Sequence, residues 1–279
     1  MEAPSKYSDY NRIQRRDAQF ILNEYEERMQ WRKDGTDTVL DVGCGTGDLT
    51  IDIILTQMPK KFGKLVGVDI SQEIIEYAKR THQRENIYFE VLDIESDDDD
   101  IQRFSKKHPD RFDHVMSFYC LHWVRNQTKA VKNIYNLLKL NGHCLLVLLV
   151  KNPIYNIYTE LSKTKWKYLM SDMDDLLTDF HSRGNAAAAM VEMLTVAGFK
   201  DHEVRIIPGK MEFTGYNEIK ANVTVINPVW LKMNAEEQNE YLKDYLDIAA
   251  GMGIYKEADD QSESTFSFSY QLLNVHAAK

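Results

Sequence analysis

LDVGCGTGDLT, residues 40–50, decides the fold of this chain. Its first half is an apolar run suited to a buried strand, and its end, Asp48-Leu49-Thr50, opens a helix. Between them Gly43, Gly45 and Gly47 let the backbone turn tightly and approach a ligand closely. The spacing G-x-G-x-G differs from the G-x-G-x-x-G of dinucleotide sites, which seats a pyrophosphate on a helix N-terminus. Asp41, inside the strand just before the first glycine, would repel a pyrophosphate and welcome an ammonium.

Downstream, short β-rich runs alternate with helical patterns, the signature of a parallel sheet covered on both faces. The strands are read at 39–43, 64–70, 87–94, 112–119 and 143–150, with helices near 47–57, 72–83, 98–108 and 127–139. The last helix carries Val131, Ile134, Leu137 and Leu138 on one stripe and is expected to stop at Asn141-Gly142. Asp69 ends the second strand, where an acid accepts hydrogen bonds from ribose hydroxyls, and Ile70 follows it. Asp93 and Ile94 end the third, offering a carboxylate to an exocyclic amine and an apolar face to a purine. One ligand with an amino-acid head, a ribose and an adenine satisfies all three strand ends: S-adenosylmethionine. Ser117, late in the fourth strand, is counted with the same cofactor site.

Composition bounds the remainder. The 279 residues carry a net charge of −9, which argues against a nucleic-acid partner, since phosphate binding needs clustered Lys and Arg. The Asp97–Asp100 run lacks the alternating pattern of a calcium loop and reads as a solvated helix start, so no metal site is expected. Cys44, Cys120 and Cys144 have no paired spacing, which fits a reducing compartment. No signal peptide or long apolar run is present, so a cytoplasmic chain without membrane insertion is expected.

The expected architecture is one α/β domain, a doubly wound Rossmann-like sheet, mainly parallel, with a late antiparallel edge strand and helical insertions forming a substrate cap. Residues 1–37 form a helical segment over the cofactor site and 38–150 the cofactor-binding core. Residues 151–184 form a first cap insertion, 185–213 a core helix and strand, 214–262 a second insertion and 263–279 the closing strand. Both insertions are expected to fold over the carboxyl edge of the sheet, where ligands bind in open α/β folds.

The stretch FYCLHWVRN, residues 118–126, places His122 and Trp123 at the carboxyl end of the fourth strand. Trp offers an N–H donor only, and His donates from either nitrogen depending on tautomer, a pair suited to an anionic acceptor. Gln14, on the amphipathic stretch YSDYNRIQRRDAQFIL (residues 7–22), supplies a further amide donor.

The region 38–150, with the closing strand near 266–275, resembles the class I S-adenosylmethionine-dependent methyltransferases through Gly43–Gly47, Asp69 and Asp93. Over the whole chain, KYSDYNRIQRRDAQ, FYCLHWV and TFSFSYQLLNV resemble the juvenile hormone acid methyltransferases of insects. In the plant carboxyl methyltransferases, which look similar here, a Gln and a Trp hold the acceptor carboxylate, and the matching residues are Gln14 and Trp123. The resemblance implies methyl transfer to the carboxylate of farnesoic acid or a juvenile hormone acid, with His122 assisting. The apolar chain of that acid is expected among Ile154, Tyr155, Tyr158, Trp166, Val225, Val229 and Trp230. Two other readings stay open: an N- or O-methyltransferase on a neutral acceptor with His122 as base, and a carrier that binds a lipophilic acid without turnover.

Overall fold

The computed structural model describes residues 11–170, 184–225, 227 and 229–279. Parts of the leading segment (1–10) and of the first cap insertion (171–183) lie outside the described residues. The chain divides into two compact units. A core unit comprises Arg12–Leu148, Arg183–Ile206 and Leu273–Lys279, and an aromatic unit comprises Met1–Asn11, Leu149–Ser182 and Ile207–Leu272.

The core unit opens with helix α1 (Arg12–Tyr25), which buries Ile13, Ala18, Ile21, Leu22 and Tyr25, the three-to-four spacing of a helix with one apolar face. Four parallel pairings then assemble β1 (Thr38–Val42), β2 (Lys64–Asp69), β3 (Ile87–Val91), β4 (Phe112–Phe118) and β5 (Leu138–Lys151). Their crossovers carry a π-wound turn (Thr50–Ile54) after β1, then α2 (Gln72–His82), α3 (Asp98–Lys107) and α4 (Gln127–Leu137). Strand β1 is buried along its whole length, as expected of the centre of a sheet covered on both faces. Helix α4 ends at Leu137, before the expected Asn141-Gly142 stop. Asn141, at φ 62°, lies instead in the first residues of β5, where the β4–β5 register shifts by a bulge.

Helix α6 (Ala186–Ala197), closed by Gly198 at φ 109°, leads into β6 (Asp201–Thr214), and the chain finishes on β8 (Thr265–Ala278). The sheet order is β3-β2-β1-β4-β5-β8-β6. Backbone bonds from Asn141 to Lys279 and from Lys279 to Gly142 run β8 antiparallel to β5. The closing strand is therefore antiparallel but not at the edge, which corrects the sequence expectation. The cause lies in its side chains: Leu273, Asn274 and Val275 are all fully buried, which suits an interior strand, whereas β6 alternates half-buried and exposed positions as an edge strand does.

In the aromatic unit, α5 (Ile154–Leu161), a 3-10 turn (Lys165–Leu169), α7 (Tyr216–Val225) and α8 (Ala235–Gly251) accompany the short strand β7 (Tyr255–Lys256), which pairs antiparallel with β8 through Tyr255 and Phe266. A capping box between Asn234 and Glu237 starts α8, each side chain bonding the other's backbone amide. Tyr241 and Tyr245 of α8 sit one turn apart and collect the rings of Trp166, Trp230, Tyr158 and Phe266.

Candidate active site

The site is built at the carboxyl ends of adjacent strands in the core unit. After β1 the amides of Gly43 and Cys44 both donate to the Val68 carbonyl, at 2.7 and 3.0 Å. Gly43 and Gly47 lie at φ 76° and 86°. A Cβ on Gly43 would stand 2.3 Å from both Cβ and Sγ of Cys120, so the turn and the segment after β4 meet at a distance only glycine permits. Asp41 is buried within β1, and Thr50 Oγ1, in the π-wound turn, donates to its Oδ2 at 2.6 Å. Burial lifts the Asp41 carboxyl to about 7, against the Thr50 bond and with the help of the Asp69 charge.

Asp69 Oδ2 accepts from the Gly45 amide at 3.2 Å, and its Oδ1 accepts from Ser71 at 2.9 Å. Burial raises the Asp69 carboxyl above the usual range while those amides oppose it. Beside it Ile70 is 66 % exposed, an apolar surface at the strand end. The Leu92 amide donates to the Asp69 carbonyl at 3.0 Å, so the ends of β2 and β3 advance together. There Asp93 Oδ1 accepts from the Glu95 amide, while Ile94 is buried with its carbonyl held by Asn133 Nδ2 at 2.8 Å. Asp41, Asp69 and Asp93 thus end or lie near the ends of three neighbouring strands. Ser117 is fully buried, and its hydroxyl donates to the Val42 carbonyl at 2.9 Å, tying β4 to β1 beneath the turn.

Past β4, Tyr119 takes φ 55° with its amide bonded to the Val147 carbonyl at 2.8 Å. A 3-10 turn follows at Leu121–Trp123, fixed by Gln127 Nε2 donating to the Leu121 carbonyl at 3.0 Å. His122 is 3 % exposed, and burial pushes its imidazole down to about 3, so the ring is neutral at physiological pH. It packs against Trp123, ring centroids 5.1 Å apart, and meets Tyr119 edge-on at 6.1 Å. Trp123 keeps 38 % of its surface exposed. Gln14 is half-buried on α1. That helix is joined to β4 by Tyr119, whose hydroxyl donates to Asp17 Oδ2 at 2.5 Å, and to the π-wound turn by Arg15–Asp52 at 2.8 Å.

Asp17 and Tyr119 were not among the residues singled out from sequence. Asp17 had a signal: it is an acid on the buried stripe of an amphipathic helix, a position that needs a partner. Tyr119 had none, because its left-handed backbone is set by tertiary contacts.

Ile154, Tyr155, Tyr158, Trp166, Val229 and Trp230 are all buried in the aromatic unit, and the side chain of Val225 lies outside the described residues. Trp166 Nε1 donates to Asp244 Oδ2 at 2.8 Å, so this tryptophan spends its donor inside the unit. Among the described residues no group of three or more His, Cys, Asp and Glu is placed to hold a metal, and no helix is long and apolar enough to cross a membrane.

This architecture defines a class I methyltransferase fold, and a model of the methyltransferase domain family matches residues 33–215. Among solved structures, the YcgJ protein of Bacillus subtilis superposes with a TM-score of 0.56 at 18 % identity, covering 92 % of this chain and 97 % of that one. The plantazolicin methyltransferase BpumL, solved with S-adenosylhomocysteine, superposes with a TM-score of 0.50 at 18 % identity, covering 99 % and 90 %. The juvenile hormone acid O-methyltransferase of Drosophila melanogaster is 37 % identical over 282 residues, covering 100 % of this chain and 93 % of its own length. That of Bombyx mori is 34 % identical over 276 residues, covering 98 % and 96 %. The chain belongs to the methyltransferase domain family and, within it, to the juvenile hormone acid O-methyltransferase family.

Proposed function

We propose that this chain methylates the carboxylate of a lipophilic acid, farnesoic acid or a juvenile hormone acid, using S-adenosylmethionine and releasing the methyl ester and S-adenosylhomocysteine. The relatives named for this activity support it. One observation within the site carries it: the side chains at the end of β4 include a part-exposed tryptophan, Trp123, and an imidazole held neutral near pKa 3, which is too weakly basic to deprotonate a neutral acceptor efficiently. A carboxylic acid is already ionised at neutral pH and needs no base.

The residues present fit the cofactor. The glycine turn keeps its backbone free of side chains at Gly43 and Gly47, Asp69 keeps lone pairs for ribose hydroxyls, and exposed Ile70 offers a face to adenine. Bound there, the cofactor supplies an electrophilic methyl carbon on a sulfonium. Trp123 and Gln14 hold the acceptor carboxylate by hydrogen bonds, and His122 supports them without moving a proton. What this chain's residues would then supply is alignment: Trp123 and Gln14 orient the acceptor oxygen toward the methyl carbon, and no proton has to move.

The test is methyl transfer by the purified protein from labelled S-adenosylmethionine to farnesoic acid, with farnesol and methyl farnesoate as controls. Label should enter the acid alone. Methylation of the alcohol in preference to the acid would overturn the reading, and binding of the acid without transfer would make the chain a carrier.

A further inference from the structure

We propose that Asp17 and Tyr119 act as a pair of positioning residues, the bond between them setting the leading helix so that Gln14 meets the same acceptor carboxylate as Trp123. The inference rests on the Gln14 and Trp123 assignment above and extends it to residues that touch neither cofactor nor acceptor.

Three observations carry it. Tyr119 is the first residue past β4, at φ 55°, a conformation that bulky side chains rarely adopt and that persists only where the surroundings enforce it. Its backbone is fastened to Val147 at 2.8 Å, and its hydroxyl reaches α1 to donate to Asp17 Oδ2 at 2.5 Å. Next, Asp17 stands on the buried stripe of α1, where an apolar residue would pack without the desolvation cost of a carboxylate. A directional bond fixes what apolar packing leaves loose, the rotation and height of the helix. Gln14 lies three residues before Asp17, on the same face, so whatever sets Asp17 sets Gln14. Finally, the same tyrosine ring stands edge-on to His122, which also packs against Trp123. One side chain therefore links Asp17, on the Gln14 helix, to His122, beside Trp123.

A separate ion pair from α1 to the π-wound turn, Arg15–Asp52, joins two partly exposed side chains and holds less firmly. Asp17 Oδ1 accepts from Arg16 Nε at 2.9 Å, while Oδ2 accepts from the tyrosine hydroxyl.

The experiment is a double-mutant cycle on kcat/KM for farnesoic acid, with cofactor affinity followed by titration calorimetry. Tyr119→Phe keeps the ring against His122 and deletes the hydroxyl. It should lower kcat/KM about tenfold, the order expected for one hydrogen bond to a charged group, while the Kd for S-adenosylhomocysteine moves less than about twofold. In a Gln14→Ala background the same change should add almost nothing, because the residue being positioned is gone. An equal loss in both backgrounds overturns the inference, since the pair would then act by another route. Full activity of Gln14→Ala alone overturns the Gln14 assignment and this inference with it, and the single variant distinguishes that failure from the former. Asp17→Asn, which keeps an oxygen for the tyrosine hydroxyl, should retain more activity than Asp17→Ala. Equal losses in those two variants would show that the acceptor oxygen is not what matters, and would also overturn it.

Discussion

The Gly45 amide donates to Asp69 Oδ2 at 3.2 Å, so the glycine turn after β1 and the acid that ends β2 form one construction. Asp69→Ala should therefore act twice, removing the proposed ribose acceptor and releasing the turn. Each charge-assisted hydrogen bond lost costs about 1.5 to 3 kcal/mol. Titration calorimetry should show weaker binding of both S-adenosylmethionine and S-adenosylhomocysteine, with Asp69→Asn less affected because its carbonyl can still accept from Gly45. Affinity unchanged in the alanine variant would remove Asp69 from the cofactor site.

Gly43 makes a second test of the turn. At φ 76°, any side chain there is strained by roughly 1 to 2 kcal/mol, and its Cβ would also stand 2.3 Å from Cys120 Cβ and Sγ. Gly43→Ala should lower Tm and abolish cofactor binding. Adding Cys120→Gly removes both clashing atoms and should recover part of the stability lost, leaving only the backbone strain. A Gly43→Ala protein as stable as the parent would mean that the close approach is not required.

The parallel half of the fold was legible because its strands are short apolar runs closed by glycine or acid, and because buried positions recur with helical spacing between them. What escaped was governed by contacts distant in sequence. The place of β8 inside the sheet depended on whether LLNV was buried on one face or two, which alternation upstream in TFSFSY concealed. Asn141 carries the residue type of a helix stop, yet its left-handed backbone serves a bulge four residues past the end of α4. Of the candidate site, the strand-end acids were legible from their spacing, whereas the neutrality of His122 is a consequence of burial and Tyr119 is placed by its backbone and by Asp17. Tyr158, Trp166 and Trp230 were singled out from sequence as lining for an apolar chain, but their convergence on Tyr241 and Tyr245 needed the fold.

Stability should fall in mild acid. Burial holds His122 near 3 and pushes His276, stacked on Tyr25 and His143, down to about 4. In the unfolded chain both titrate near 6.5. Between those values the unfolded chain binds protons that the fold excludes, so this stability is fully present above about 6.5 and is lost as pH falls toward 4. Asp41 has the opposite sign. Its pKa is raised to about 7, so its contribution is full below its ordinary 3.8 and is lost as pH rises through 7. Asp69, raised by burial as well, acts with Asp41, while His114 and His143, also lowered by burial, act with His122 and His276. With four histidines against two carboxyls, calorimetric Tm should rise from pH 4.5 to 6.5. His276→Gln should flatten that rise and Asp41→Asn should steepen it. A Tm independent of pH over this range in the parent protein would contradict the buried neutral histidines.

The acceptor site yields the sharpest test. Replacing Trp123 by Phe keeps most of the ring and deletes its only donor, and loss of one oriented donor to a charged group costs about 1.5 to 3 kcal/mol. That is roughly one to two decades in kcat/KM. Gln14→Ala should behave alike, with cofactor affinity nearly intact in both. His122→Asn separates donation from proton transfer, because Asn keeps a donor and cannot serve as a base. With the imidazole held near pKa 3, log kcat/KM of the parent should pass through pH 6.5 without a histidine step, and the Asn variant should retain much of the activity. A collapse of the Asn variant by several decades, together with a parent rate that climbs through pH 6.5, would make His122 a general base and the acceptor a neutral group.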